Sequence, residues 1–225
     1  DAKSHINKAI AIKPDYAEAH NNLGAIYLHL ERLEEAVTSC RNALAINADF
    51  VAAHSNLGLA LHRLGRLENA VASYQKALDF DPNDSTSLSN LGNLFRDMGR
   101  NEDAVSSYQK ALIAKPDIAE VHYSLGNAFK DMEQLEDAIV SYKKALAIVP
   151  DYMNARNNLG HAYSKMGWLK DAIINYQKVL NFNSDFPLAW VGLKTCTKAL
   201  LFSKLNEKQQ SSSCKNGLSQ AVQST

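Results

Sequence analysis

Asn21-Asn22-Leu23-Gly24, Ser55-Asn56-Leu57-Gly58, Ser89-Asn90-Leu91-Gly92, Tyr123-Ser124-Leu125-Gly126 and Asn157-Asn158-Leu159-Gly160 are one block written five times. The glycines stand 34 residues apart each time, with no insertion. Two further series keep the period: Ala36, Ala70, Ala104, Ala138, Ala172, and Tyr74, Tyr108, Tyr142, Tyr176 with Cys40 in the first slot. Pro14, Pro82, Pro116 and Pro150 punctuate the repeat ends. A fixed period held across 170 residues is the mark of stacked supersecondary units, each too small to bury its apolar face alone. Five full repeats follow, at 17–50, 51–84, 85–118, 119–152 and 153–186.

Within a repeat, positions 3, 7, 10, 11 and 14 fall on one face at helical spacing. In the second repeat these are Ala53, Leu57, Ala60, Leu61 and Leu64. Gly65, Gly99 and Gly167 then occupy position 15, where a helix stop favours glycine. A second apolar face follows at Leu67, Ala70, Val71, Tyr74, Ala77 and Leu78, and the proline at position 32 ends it. Each repeat is therefore a helical hairpin. Neither helix is long enough to be stable by itself, so packing must supply the stability. Glycine at position 8 and alanine at position 20 read as packing residues that let paired helices approach closely.

This set of Leu-Gly at positions 7 and 8, alanine at 20 and 27, tyrosine at 24 and proline at 32 resembles the tetratricopeptide repeat. The resemblance covers residues 1–186. It implies an all-α fold, a right-handed superhelical solenoid of antiparallel helix pairs, with first helices lining a concave groove and second helices on the convex side. The RNA-reading pentatricopeptide repeats have a different period and lack these glycine, alanine and proline positions.

The ends depart from the pattern. Residues 1–16 align with the second half of a repeat and predict a lone second helix packed through Ile6, Ala9 and Ile10. That opening and the absence of an initiator Met point to a fragment of a longer chain. The sixth repeat starts with Pro187-Leu188-Ala189-Trp190, but Lys194 stands where glycine belongs. Residues 187–204 therefore read as a capping helix, with an apolar run, Ala199-Leu200-Leu201-Phe202, that points to a missing neighbour or to a self-association patch. Polar residues 205–225 read as a disordered tail.

Composition narrows the function. With 24 basic and 24 acidic residues the net charge is zero, which argues against a nucleic-acid partner. No stretch is apolar enough to span a membrane, and no signal peptide opens the chain. Cys40, Cys196 and Cys214 are scattered and odd in number, which fits a reducing, cytoplasmic or nucleocytoplasmic setting rather than a disulfide framework. His20, His54 and His122 share position 4 of different repeats, about 8–10 Å apart, too far to share a metal. They read as structural histidines. Glu34, Glu68, Glu102 and Glu136 at position 18 read as first-turn acids favoured by the helix dipole. No phosphate loop, nucleophile motif, metal set or cofactor motif is present, so no catalytic residue is assigned and a non-enzymatic interaction module is expected.

The remaining signal lies at positions 2, 5, 6, 9 and 13 of the first helices, which the helical wheel turns away from the core. Position 6 reads Asn22, Asn56, Asn90, Ser124 and Asn158. Position 9 adds Asn93 and Asn127, and position 13 adds Asp97 and Asp131. Asparagine is a mediocre helix former, yet its carboxamide can serve both polar groups of a peptide unit. A rung every 8–10 Å also matches about three residues of extended chain at ~3.3 Å each. The expected partner is a protein or peptide segment in extended conformation. Inheritance by duplication is the competing account of the same series.

The position-6 series resembles the asparagine ladder in the repeat region of O-GlcNAc transferases, and Asp97 and Asp131 match that family's groove aspartates. The resemblance implies backbone recognition of extended substrates, with the catalytic domain of that family lacking here. Ser124 departs from the ladder, and His29, Arg63 and Lys165 from the aspartates. The lysine and arginine clamp of chaperone-binding repeats has no counterpart at positions 5 and 6. Two other readings stay open: a recognition arm of a larger glycosyltransferase, and a scaffold that self-associates through its exposed ends.

Overall fold

The computed structural model of the chain describes the backbone of residues 2–223 and the side chains of residues 5, 6 and 8–206. Among the described residues there are twelve α-helices and no strand. The helices are α1 (Ala2–Ile12), α2 (Ala17–His29), α3 (Leu33–Ile46), α4 (Val51–Arg63), α5 (Leu67–Phe80) and α6 (Ser85–Asp97). They continue with α7 (Asn101–Ala114), α8 (Ala119–Asp131), α9 (Leu135–Ile148), α10 (Met153–Lys165), α11 (Leu169–Phe182) and α12 (Pro187–Gln223). Every full repeat places its first helix at positions 1–13 and its second at 17–30. The expected disordered tail, 205–225, falls from residue 207 onward outside the residues whose side chains are described.

The chain divides into two compact units, Asp1–Met132 and Glu133–Thr225. In the first, α2 pairs with α3, α4 with α5 and α6 with α7, and each second helix packs on the next first helix. The first helices α2, α4, α6 and α8 are neighbours in turn, and α1 packs on α2. In the second unit α10 pairs with α11 and also meets α9, while α12 packs on α11 and α10.

Small residues set the helix spacing. The alanines at positions 20 and 27 are fully buried from Ala36 through Ala172, with Val179 as the last member. Position 8 shows why glycine recurs. A Cβ on Gly58 would lie 2.7–2.9 Å from the Tyr74 ring, and one on Gly92 2.6–3.0 Å from the Tyr108 ring. In the first repeat a Cβ on Gly24 would instead lie 2.7 Å from the Sγ of Cys40. The sixth segment solves the same problem differently. Lys194 replaces the expected glycine, but Gly192 lies against Tyr176, whose ring atoms would stand 2.3–2.6 Å from an added Cβ.

Position 15 of each full repeat adopts a left-handed backbone. Gly65 and Gly99 have φ of +73° and Gly167 +76°. Where glycine is absent, Glu31 (φ 55°) and Glu133 (φ 57°) take the same conformation.

The helix starts use two alternative devices. The residue before α2, α4, α8 and α10 is Tyr16, Phe50, Ile118 or Tyr152, none of which caps with its side chain. In those repeats a donor at position 4 reaches back to the loop carbonyl six residues earlier. His20 Nε2 meets Pro14 O at 3.0 Å, His54 Nε2 meets Ala48 O at 2.8 Å, and His122 Nε2 meets Pro116 O at 3.0 Å. Arg156 donates to Pro150 O, and Trp190 Nε1 to Ser184 O at 2.8 Å. Because a carbonyl only accepts, each of these histidines carries its proton on Nε2. The third repeat has Leu88 at position 4, and there Asp84 caps α6 by accepting from Ser87 N at 2.8 Å. The histidines are structural, as their positions suggested, but they clasp the preceding loop.

Candidate peptide-binding face

The face formed by α2, α4, α6 and α8 carries most of the residues singled out from the sequence. Asn22 is exposed, Asn56, Asn90 and Asn93 are half-buried, and Asp97 and Asp131 are exposed. Two members differ from the outward orientation read off the helical wheel: Ser124 is 7% and Asn127 8% exposed. Asn158 belongs to the second unit, on α10, where it is half-buried and accepts from Asn157 Nδ2 at 3.4 Å.

The asparagines are not equivalent. Asn56 Nδ2 donates to Oδ1 of Asn21 at 2.9 Å, joining α4 to α2. Asn21 is 7% exposed, so this bond satisfies a buried acceptor. Asn93 Oδ1 accepts the Tyr108 hydroxyl at 2.7 Å. Burial pushes the Tyr108 hydroxyl up to about 12, with Ser124 of α8 beside the phenol offsetting part of that rise. Three helices therefore meet at Tyr108. Asn90 has no hydrogen bond of its own among the described residues. In the second repeat Leu59 occupies the position of Asn93, and the buried hydroxyl of Tyr74 has no partner. Its place at position 24, on an apolar face, marks Tyr108 as a packing residue; the cue to its polar role is the pairing of Asn at position 9 with Tyr at position 24.

A charge pattern explains two of the departures at position 13, Arg63 and Lys165. Arg63 donates to Glu31 Oε1 at 2.9 Å and to Leu28 O at 3.2 Å. Lys165 pairs with Glu133 at 3.5 Å. Both partners are the left-handed glutamates at position 15 of the preceding repeat. Where that position is glycine, at Gly65 and Gly99, position 13 of the next repeat is Asp97 or Asp131. The cations answer turn glutamates, and the aspartates stand where no such glutamate exists. Asp97 in turn takes His62 Nε2 at 3.0 Å and Arg96 at 3.8 Å, and Asp131 takes Lys130 at 3.5 Å.

Between α6 and α8 the face opens into a depression of about 240 Å³. Ser89, Asn90 and Asn93 line one side, Val121 and Ser124 the other, with Tyr108 beneath and Lys115 and Glu120 at the rim. In the second unit α12 bears a larger apolar hollow of about 620 Å³, lined by Trp190, Val191, Leu193 and Leu201 and flanked by Lys194 and Lys198. Among the described residues no three His, Cys, Asp or Glu side chains cluster to hold a metal, and no helix is long and apolar enough to cross a membrane.

Comparisons with known proteins agree with the architecture. Family models described as "TPR repeat" match residues 26–65 and 126–167, and ones described as "Tetratricopeptide repeat" match 5–38, 49–116 and 154–186. No curated protein matches the sequence. Solved structures do match in fold. YrrB, described as a TPR protein with an unusual peptide-binding site, is 19% identical over 84% of this chain and 97% of its own, with a TM-score of 0.68. MamA is 22% identical over 71% of this chain and 93% of its own, at 0.65. MamA from Desulfovibrio magneticus RS-1 is 24% identical over 73% and 93%, at 0.66. The chain is a member of the tetratricopeptide-repeat family, an all-α class built for protein–protein interaction. The particular likeness to O-GlcNAc transferases read from the asparagines gains no support from these matches.

Proposed function

We propose that the protein is a non-catalytic interaction module that holds an extended segment of a partner protein against the first-helix face. The observation that carries this reading is Asn90. It is a mid-helix, part-exposed carboxamide with no intramolecular partner, and it borders an open polar depression. Packing and helix propensity give no reason for it there, whereas a peptide backbone would satisfy its donor and acceptor together. Asn22, Asp97 and Asp131 supply further exposed polar groups on the same row of helices. YrrB, which shares the fold and is described as having an unusual peptide-binding site, is in keeping with this use of the scaffold.

A peptide array of extended segments, followed by calorimetric titration of the best binder, tests the reading. Asn90→Ala should leave the melting temperature unchanged or slightly higher and weaken binding about 5- to 30-fold, as for one or two hydrogen bonds. Unchanged affinity with an unchanged melt would move the site off this face.

A second reading is self-association through α12. Leu188, Trp190, Val191, Leu201 and Phe202 are all more than half exposed on this one helix. A second copy of the chain is the occupant this reading names. Light scattering across protein concentration decides it: a constant molar mass excludes it, and a Trp190→Ser variant should lower any concentration-dependent mass.

A further inference from the structure

The depression between α6 and α8 differs from its counterpart one repeat earlier in the chemistry of its floor. In the third repeat the Tyr108 phenol donates to Asn93 Oδ1 at 2.7 Å, with Ser124 lining the same depression. Because the phenol O–H occupies Oδ1 of Asn93, the amide is fixed in one orientation, with its Nδ2 turned away from the phenol. Ser89 spends its hydroxyl proton on Ser85 O at 2.6 Å. Asn90 keeps both its amide donor and its carbonyl acceptor unspent. At the rim stand one cation, Lys115, and one anion, Glu120, neither in an ion pair with the other. In the second repeat the same place carries Leu59 over a Tyr74 hydroxyl without a partner.

We infer that this depression is a side-chain pocket that selects a carboxamide, the Asn or Gln side chain of a bound extended peptide. The inference rests on the first-helix face being the peptide-binding face and adds to it a register and a residue preference. The ligand's amide C=O accepts from Asn93 Nδ2, and its NH2 donates to the second lone pair of Asn90 Oδ1, which leaves the first lone pair and Asn90 Nδ2 for the peptide backbone. An aliphatic side chain of the same shape leaves those groups desolvated and unpaired. A carboxylate meets a rim whose two charges cancel, so its own desolvation is not offset. The neighbouring repeat, with Leu59, makes no such demand. The face therefore reads sequence at the third repeat, not backbone alone.

Asn, Asp and Leu are near-isosteres, which makes a direct test. The probe is a fluorescein-labelled, end-blocked nonapeptide of alternating Ala and Pro, an already extended host, with Asn, Asp or Leu at its centre. Fluorescence anisotropy on the full chain should show the Asn guest binding roughly tenfold tighter than the Leu or Asp guest, the loss expected for one or two unmade hydrogen bonds. Asn93→Leu copies the residue already present at position 59, so the variant folds. It should erase the preference for Asn and favour the Leu guest. Tyr108→Phe, which frees the Asn93 amide to rotate, should shrink the preference without inverting it. In the wild type, the side-chain NH2 signals of Asn90 and Asn93 should shift with the Asn guest and stay still with the Leu guest. Three guests of equal affinity would overturn the pocket while leaving the binding face intact. The Asp guest binding tightest would assign the site to Lys115 and also overturn it. Failure of every guest to bind would sink both the pocket and the face.

Discussion

Tyr74 and Tyr108 occupy the same position of adjacent repeats and are both fully buried, yet their hydroxyls have different fates. Tyr108 donates to Asn93; Tyr74 lies under Leu59 with nothing to bond. Removing a buried hydroxyl that has no partner relieves a desolvation cost, whereas removing a bonded one strands its partners. Tyr74→Phe should therefore leave urea stability unchanged or raise it by up to about 1 kcal/mol, and Tyr108→Phe should lower it by about 1–2 kcal/mol. Equal effects would mean that the Tyr108 network contributes nothing. Burial also sets a pH dependence. It raises the Tyr108 and Tyr176 hydroxyls from 10.0 to about 12 and the Cys40 thiol from 9.0 to about 12. Above pH 9–10 the unfolded chain releases these protons while the folded chain keeps them. The folded state binds more protons there, so stability falls as pH rises. The contribution is whole below pH 9 and is lost toward pH 12. Urea midpoints taken at pH 8 and pH 11 should show the drop, and Cys40→Ala should make it shallower. A midpoint that holds steady between those pH values would contradict the burial.

At the scale of the helical hairpin, two turns trade backbone strain for charge. A non-glycine residue in the left-handed region costs about 1–2 kcal/mol, and an exposed ion pair returns about 0–1 kcal/mol. Glu31→Gly removes both, so it should stabilise the first repeat by up to about 1 kcal/mol in thermal or urea unfolding. Destabilisation by that change would show the Arg63 contact to be worth more than an exposed pair. The hairpin itself was legible in the sequence because its determinants are local and repeated: glycine at 8, alanine at 20 and 27, a stop at 15. The device that starts each helix was not legible. The histidines at position 4 could be seen to recur, but their partner is a loop carbonyl, and a backbone acceptor leaves no trace in residue identity. That Asp84 caps α6 where Leu88 replaces the clasping residue becomes meaningful only when both ends of the loop are seen together. The role of Gly192 is hidden in the sequence for a similar reason. It stands two residues before the expected slot, and only the position of the Tyr176 ring shows what it admits.

Across the array, what was hidden in the sequence was the division of labour within a repeated position. Asn56 and Asn90 are the same letter in the same register, but Asn56 satisfies Asn21 while Asn90 is unspent. Partners one repeat away decide this, and a one-dimensional reading does not rank them. The pattern has a thermodynamic counterpart. In the first compact unit α6 and α7 pack on each other and on α4, α5 and α8, whereas α2 and α3 pack on each other and on α1 and α4. Stability in such an array is close to a sum of repeat and nearest-neighbour terms. Damage at one hairpin should therefore spread one repeat and fade. Gly92→Leu is a stringent probe, because even a single Cβ there would stand 2.6–3.0 Å from the Tyr108 ring. Overpacking of this kind costs about 1–3 kcal/mol, and more where backbone must move. Native-state hydrogen exchange should report loss of protection in α6 and α7, a smaller loss in α5 and α8, and near wild-type protection in α2 and α3. Protection lost evenly from α2 to α8 would mean that the unit unfolds as one cooperative body, and the nearest-neighbour description would have to be given up.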